Sequence, residues 1–164
     1  MLGSGHALEA AQDAWLAARL RERPEVAHRL LFLHRPLIRA ANDEPGRAGR
    51  YVQAAAAQAL LDGPLRATLR AVVSGHTHQW LDHAAHGVQH LWMPSCAFVI
   101  PDRLQNRVGN KQVGYALIEL GASDADGMNG GWSHRIERPP TLHPHALDRL
   151  ACFDGLHASP PPLV

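Results

Sequence analysis

Lysine is nearly missing from this chain of 164 residues: Lys111 stands alone beside fifteen arginines. A surplus of positive charge is missing too, because sixteen basic and fifteen acidic residues leave a net charge of +1. That balance excludes the basic footprint of a stable nucleic-acid partner and the polybasic surface that holds a protein on an anionic membrane. Cysteine is scarce. Cys96 and Cys152 cannot build a disulfide framework, neither lies in a Cys-x-x-Cys metal pattern, and two reduced thiols fit a cytoplasmic location. No apolar run approaches the roughly 20 residues of a membrane helix. The stretch Met1–Trp15 has neither the basic start nor the apolar centre of a secretory signal.

What remains is the composition of one ordinary folded domain, 46% hydrophobic and 19% charged. Histidine is the exception, at twelve residues. Its imidazole is a common metal ligand and exchanges protons near neutrality.

Leu8, Ala11, Trp15, Leu16 and Leu20 recur at helical spacing, which predicts an amphipathic helix from Ala7 to about Arg23, closed by Pro24. The arginines at 19, 21 and 23 suit its solvated C-terminal end. The continuous apolar run His28–His34 predicts a strand buried on both faces. Loop chemistry fills Ile38–Gly49, and an Ala/Leu/Gln-rich helix is expected over Tyr51–Leu61, with a short helix to Leu69 after Pro64. A second buried strand, Ala71–Ser74, runs into Gly75-His76-Thr77-His78. A hairpin follows, Gln79–Ala85 and Val88–Met93 about a His86-Gly87 turn, and then a strand pair, Val113–Leu120 and Trp132–Arg138. Residues 139–164 form a Pro- and His-rich tail, read as extended or frayed, after a domain of residues 1–138. The four tryptophans are expected in the core. His83, His86, His90, His143 and His145 are expected at the surface.

Two strands thus end in histidine: Leu33-His34-Arg35-Pro36 and Ser74-Gly75-His76-Thr77-His78. Sites in open α/β sheets form beyond the carboxyl ends of strands, so neighbouring strands would bring the three imidazoles together. In extended backbone His76 and His78 project to one side, about 7 Å apart at Cα. Gly75 suits a sharp turn beside a ligand. The plain alternative is a polar turn at His76–His78, with His34 bonded to a backbone carbonyl.

Leu31-Phe-Leu-His34-Arg-Pro36 followed by Val73-Ser-Gly-His-Thr-His78-Gln79 resembles the C-terminal half of a calcineurin-like metallophosphoesterase. The likeness extends through Gln12–Leu16, Gly87–Ser95 and Gly114–Leu120. It implies an α/β (α+β) fold, a partial metallophosphoesterase-type β-sandwich with flanking helices. It also implies a phosphoric ester hydrolase, acting on a phosphate-ester substrate through two divalent metal ions (Mn, Fe, Zn or Mg). His34 and His76 would bind one ion and His78 the other, with Arg35 beside them for the substrate anion. The cyclic-nucleotide phosphodiesterases of the superfamily share this arrangement.

The family's first half also carries Asp-x-His, Gly-Asp and Gly-Asn-His. Here the carboxylates upstream of His34 are only Glu9, Asp13, Glu22 and Glu25, and His6 follows Ser4-Gly5. No bridging carboxylate or proton-donating histidine is retained. The resemblance then implies a C-terminal fragment, inactive alone, with Met1 an internal methionine of its parent. Its strands would show an open edge, to be covered by a homodimer or a partner chain. The alternative class is a non-catalytic metal-binding or assembly module.

Overall fold

The structure, a computed structural model, describes residues 10–26, 28–43, 48–121 and 131–152. Leu8 of the expected first helix and the loop 122–130 lie outside these residues. The chain is mixed α/β, with several sheets and few helices.

Helix α1 spans Ala10–Glu22, with Leu16 and Leu20 packed on the core and the basic residues Arg19 and Arg21 in its last turn. Strand β1 is Arg29–Leu33, helix α2 is Ala54–Asp62, and β2 runs from Leu69 to His78. Strands β3 (Leu81–Ala85) and β4 (Val88–Pro94) form the expected hairpin. At its tip His86 (φ 54°) and Gly87 (φ 73°) take the paired left-handed conformations of a type I′ turn. The four strands make one sheet in the order β1-β2-β4-β3, with β1, β2 and β4 mutually parallel and β3 antiparallel to β4. Residues 64–68 are turns tied by Arg66 N–H to the Gly63 carbonyl and Thr68 N–H to that of Leu65, where a short helix was expected.

The core lies between this sheet and α2. Leu31 and Leu33 of β1, Val72 of β2 and Val88 of β4 meet Ala57, Leu60 and Leu61 of the helix, with Leu37, Leu65 and Leu69 beside them. Strand β2 is covered on both faces over Ala71–Ser74, as its continuous hydrophobicity predicts. Strand β1 is not. It is one of the sheet's two edge strands, and Phe32 is 56% exposed between two buried leucines. Trp15 of α1 is 51% exposed, contrary to its expected place in the core. An apolar run reports that a strand has greasy side chains on both faces, not that a second layer lies over each.

Strands β5 (Phe98–Val99), β6 (Tyr115–Leu120), β7 (Trp132–Glu137) and β8 (His145–Ala146) form two small sheets, β6 antiparallel to β7 and β5 parallel to β8. The last pairing gives the tail, read as extended or frayed, two residues of paired strand, and residues 153–164 lie outside the described residues. Beyond β8 Asp148 is buried and accepts a hydrogen bond from Arg103 Nε at 3.0 Å, so the described part of the tail is clasped to the loop after β5. His143 and His145 are exposed, as expected.

A buried polar network joins the segment before α2 to the loop after β5. Asp43, whose side chain is 0% exposed, pairs with Arg50 Nη1 at 2.6 Å. It also accepts from the Tyr51 hydroxyl, and from Asn106 Nδ2 at 2.8 Å. Arg50 Nη2 donates to Asn106 Oδ1 at 2.9 Å. Burial by itself raises the Asp43 pKa, but the bonds from Tyr51 and Asn106 and the Arg50 charge outweigh it and hold it below the usual aspartate range. Removing one partner of a buried ion pair strands the other charge, at a cost of about 3–5 kcal/mol. Arg50→Met is therefore expected to lower unfolding free energy in urea by about 3 kcal/mol. A loss under about 1 kcal/mol, the range of an exposed pair, would contradict a closed network.

Candidate functional site

The backbone brings the two histidine-bearing strand ends together before any side chain is considered. β1 and β2 pair in parallel with Leu33 opposite Ser74, and Gly75 N–H donates to the His34 carbonyl at 3.1 Å. His34 and His76 then stand across one strand boundary. Their rings pack edge to face with centroids 5.0 Å apart, and His76 Nδ1 lies 3.2 Å from His34 Nε2. That separation serves a hydrogen bond in one tautomer. It is also close to the roughly 3.3 Å between two nitrogens bound to one tetrahedral ion at about 2.0–2.1 Å.

Residues 76–78 depart from the extended backbone expected of them. Along β2 and β4, Ser74 pairs with Trp92 and His78 with Pro94, so four steps on β2 match two on β4. The extra length is a bulge, with His76 (φ 64°) and His78 (φ 53°) both in the left-handed region. L-residues with branched or long side chains rarely adopt this conformation, and bulges of this kind re-aim side chains beside functional sites. Thr77 between them is 0% exposed and faces inward, while both histidines are half-buried. Gly75 is not sterically required at its position, since a methyl group there would lie 3.7 Å from the His34 carbonyl oxygen.

His78 does not join the His34–His76 contact. Its ring lies against Phe98, centroids 4.9 Å apart, and its Nδ1 is buried without a hydrogen-bond partner among the described residues. The imidazoles are still close enough to feel one another. Burial first, and then the charges of His34, Arg35, His78 and Arg50, push the His76 pKa down to about 4. Burial and His34 lower that of His78. Arg35 thus stands where its charge acts on the site. Imidazoles that resist protonation keep their lone pairs free at neutral pH, and the guanidinium of Arg35 suits an anion.

Among the described residues no group of three or more His, Cys, Asp or Glu side chains gathers to hold a metal ion. The residues present fit the imidazole part of a metal site, the His34–His76 pair with His78 nearby. They do not fit a dinuclear centre, because no carboxylate joins them to offset two cations.

Gln79, next in sequence after His78, has a role that its sequence position did not reveal. It is 0% exposed, and its amide is used on all sides. Nε2 donates to Gln105 Oε1 at 2.7 Å and the Asn106 carbonyl at 3.0 Å, while Oε1 accepts from the N–H groups of Val108 and Gly109 at 2.8 and 2.9 Å. This side chain fixes the loop 101–110 to the histidine segment. His90 corrects another expectation, being 1% exposed and not at the surface.

No family model matches the chain, and no curated protein matches it either. Among the described residues no helix is long and apolar enough to cross a membrane.

Burial holds His76 and His90 near pKa 4, below the 6.5 of an accessible imidazole. The unfolded chain therefore binds more protons between those values, so stability is full above about pH 6.5 and falls as pH drops toward 4. For His90, the depression corresponds to on the order of 3 kcal/mol. Urea unfolding with a chelator at pH 7.5 and 4.5 should show this decline, and His90→Gln should flatten it. A decline of equal size in the variant would contradict the assignment.

Proposed function

We propose that this chain is the C-terminal part of a calcineurin-like metallophosphoesterase, a phosphoric ester hydrolase module that contributes the histidine side of a metal site. The observation that carries this reading is the meeting of His34 and His76 at adjacent strand ends, 3.2 Å apart between ring nitrogens. Three further features support it. The bulge turns His76 and His78 out of the regular ladder. Arg35 adds a positive charge suited to a phosphate ester. Gln79 braces the loop beside them.

The chemistry of the parent family is metal activation of water and stabilisation of the phosphoryl oxygens, which two divalent ions supply when bound. The described residues provide imidazoles and a guanidinium, and among them no carboxylate stands to bridge two ions. The chain alone is accordingly a poor catalyst, and its complement comes from another polypeptide segment.

A second reading, an assembly module, is favoured by one observation: the open edge of β1. Two apolar grooves flank it, of about 350 Å³ beside Trp15 and Leu20 and about 570 Å³ beside Leu120 and Trp132, with Phe32 lining both. On this reading a homodimer or partner chain covers Phe32, and the histidines hold one ion or none.

Metal content and turnover separate the two readings. Under the first, the full chain is expected to bind manganese or zinc with a shift of the His34 ring resonances that is lost in His76→Ala, and to hydrolyse aryl phosphates poorly or not at all. Unchanged His34 shifts in the variant would remove the site. Sustained turnover by the chain alone, lost in His78→Ala, would overturn the need for a complement. Sedimentation that shows a dimer dispersed by Phe32→Asp, with no metal bound, would favour the assembly module.

A further inference from the structure

Strands β3 and β4 carry a second histidine pair, distinct from His34 and His76. His83 and His90 are direct partners across the β3–β4 ladder, with nearly parallel rings (23°) and centroids 5.3 Å apart. His90 is 1% exposed and its Nε2 is buried with no hydrogen-bond partner among the described residues. Both ring nitrogens of His83 are in the same condition, as is Trp92 Nε1, whose ring meets that of His83 edge to face at 6.0 Å. Buried polar atoms are almost always satisfied, so several unsatisfied ones on neighbouring rings of one hairpin face point to something that belongs beside them.

The orientation of His90 narrows what that is. It interacts with the Ala85 backbone by a hydrogen bond. With Nε2 unpartnered, that bond is made by Nδ1, which leaves Nε2 as the ring nitrogen that carries the free lone pair. A backbone carbonyl on one imidazole nitrogen is the usual support of a histidine that binds a metal through the other. The nearest carboxylate in sequence is spent elsewhere: Asp82 pairs across the ladder with Leu91, on the opposite face, and bonds His134 at 2.7 Å. The cluster is thus an all-nitrogen site, which suits zinc, copper or nickel and not calcium or magnesium.

We propose that His83 and His90 together bind one zinc-type transition-metal ion through His90 Nε2 and a ring nitrogen of His83. Two protein ligands leave the remaining coordination positions to water, and the Trp92 N–H is a buried donor without a partner among the described residues. Burial keeps both imidazoles neutral, so their lone pairs are free at neutral pH. The site stands on the hairpin alone and does not depend on the phosphoesterase reading.

The test is a zinc titration of the full-length chain followed by long-range ¹H–¹⁵N correlation spectra, which report each histidine ring nitrogen separately. Carried out in His34→Ala/His76→Ala, it isolates the hairpin; in the unsubstituted chain the same spectra resolve both sites. Ring ¹⁵N shifts at His83 and His90 that saturate together with one zinc are expected. His83→Gln, at the outer strand of the sheet, should weaken this binding by more than about tenfold. Ring nitrogens of His83 and His90 that stay unmoved under saturating zinc would overturn the proposal, as would shifts at His90 that persist undiminished in His83→Gln.

Discussion

The segment before α2 and the loop after β5 are tied together through the buried carboxylate of Asp43. Arg50, Tyr51 and Asn106 all bond to it, and they come from the segment before α2 and from the loop after β5. Through Asn106 the network reaches the loop gripped by Gln79, and through Gln79 it reaches the His76–His78 bulge. A charged group with no exposed side-chain surface tolerates no slack, because each lost bond leaves an unmet charge in a low-dielectric interior. The spacing of His34 and His76 is set by the pairing of β1 with β2, and the network braces the segment that follows His78. Arg50 also links the network to the site electrostatically, since its charge is among those that disfavour protonation of His76.

Local signals made most of the fold legible in the sequence. The type I′ turn at His86-Gly87 needs only those two residues, α1 shows its stripe over three turns, and the Ala71–Ser74 run demands cover on both faces. The convergence of His34 with His76 was legible too, because strands of one α/β unit end on one side. Non-local facts were not. Phe32 and Trp15 are exposed because of what does not lie over them, and His90 is buried because its ladder partner and face were fixed by register. The left-handed backbone at His76 and His78 follows from a mismatch between β2 and β4 that neither strand displays alone. Asp43 sat in a stretch read as loop chemistry, and the partner that would have revealed it, Asn106, is distant in sequence.

The site joins two unequal parts. His34 and His76 are held close, and burial of His76 and His78 disfavours their protonated forms, which leaves their lone pairs available to a metal ion at ordinary pH. Among the described residues no carboxylate joins them. The same imbalance appears in the fold: β2 is covered on both faces, while β1 leaves an open edge and Phe32 exposed. A parallel strand with one uncovered face is unusual, since parallel sheets are ordinarily buried on both sides. The chemical gap and the uncovered surface lie on the same strand, because His34 directly follows Leu33 at the end of β1. One additional element on that edge would address both.

The most direct measurement is anomalous diffraction from crystals of the full-length chain grown with manganese or zinc, with data collected at the absorption edge of the metal. The account predicts a peak between His34 Nε2 and His76 Nδ1, about 2.0–2.2 Å from each nitrogen. Two imidazoles that remain hydrogen-bonded to each other, with no peak between them at saturating metal, would contradict it.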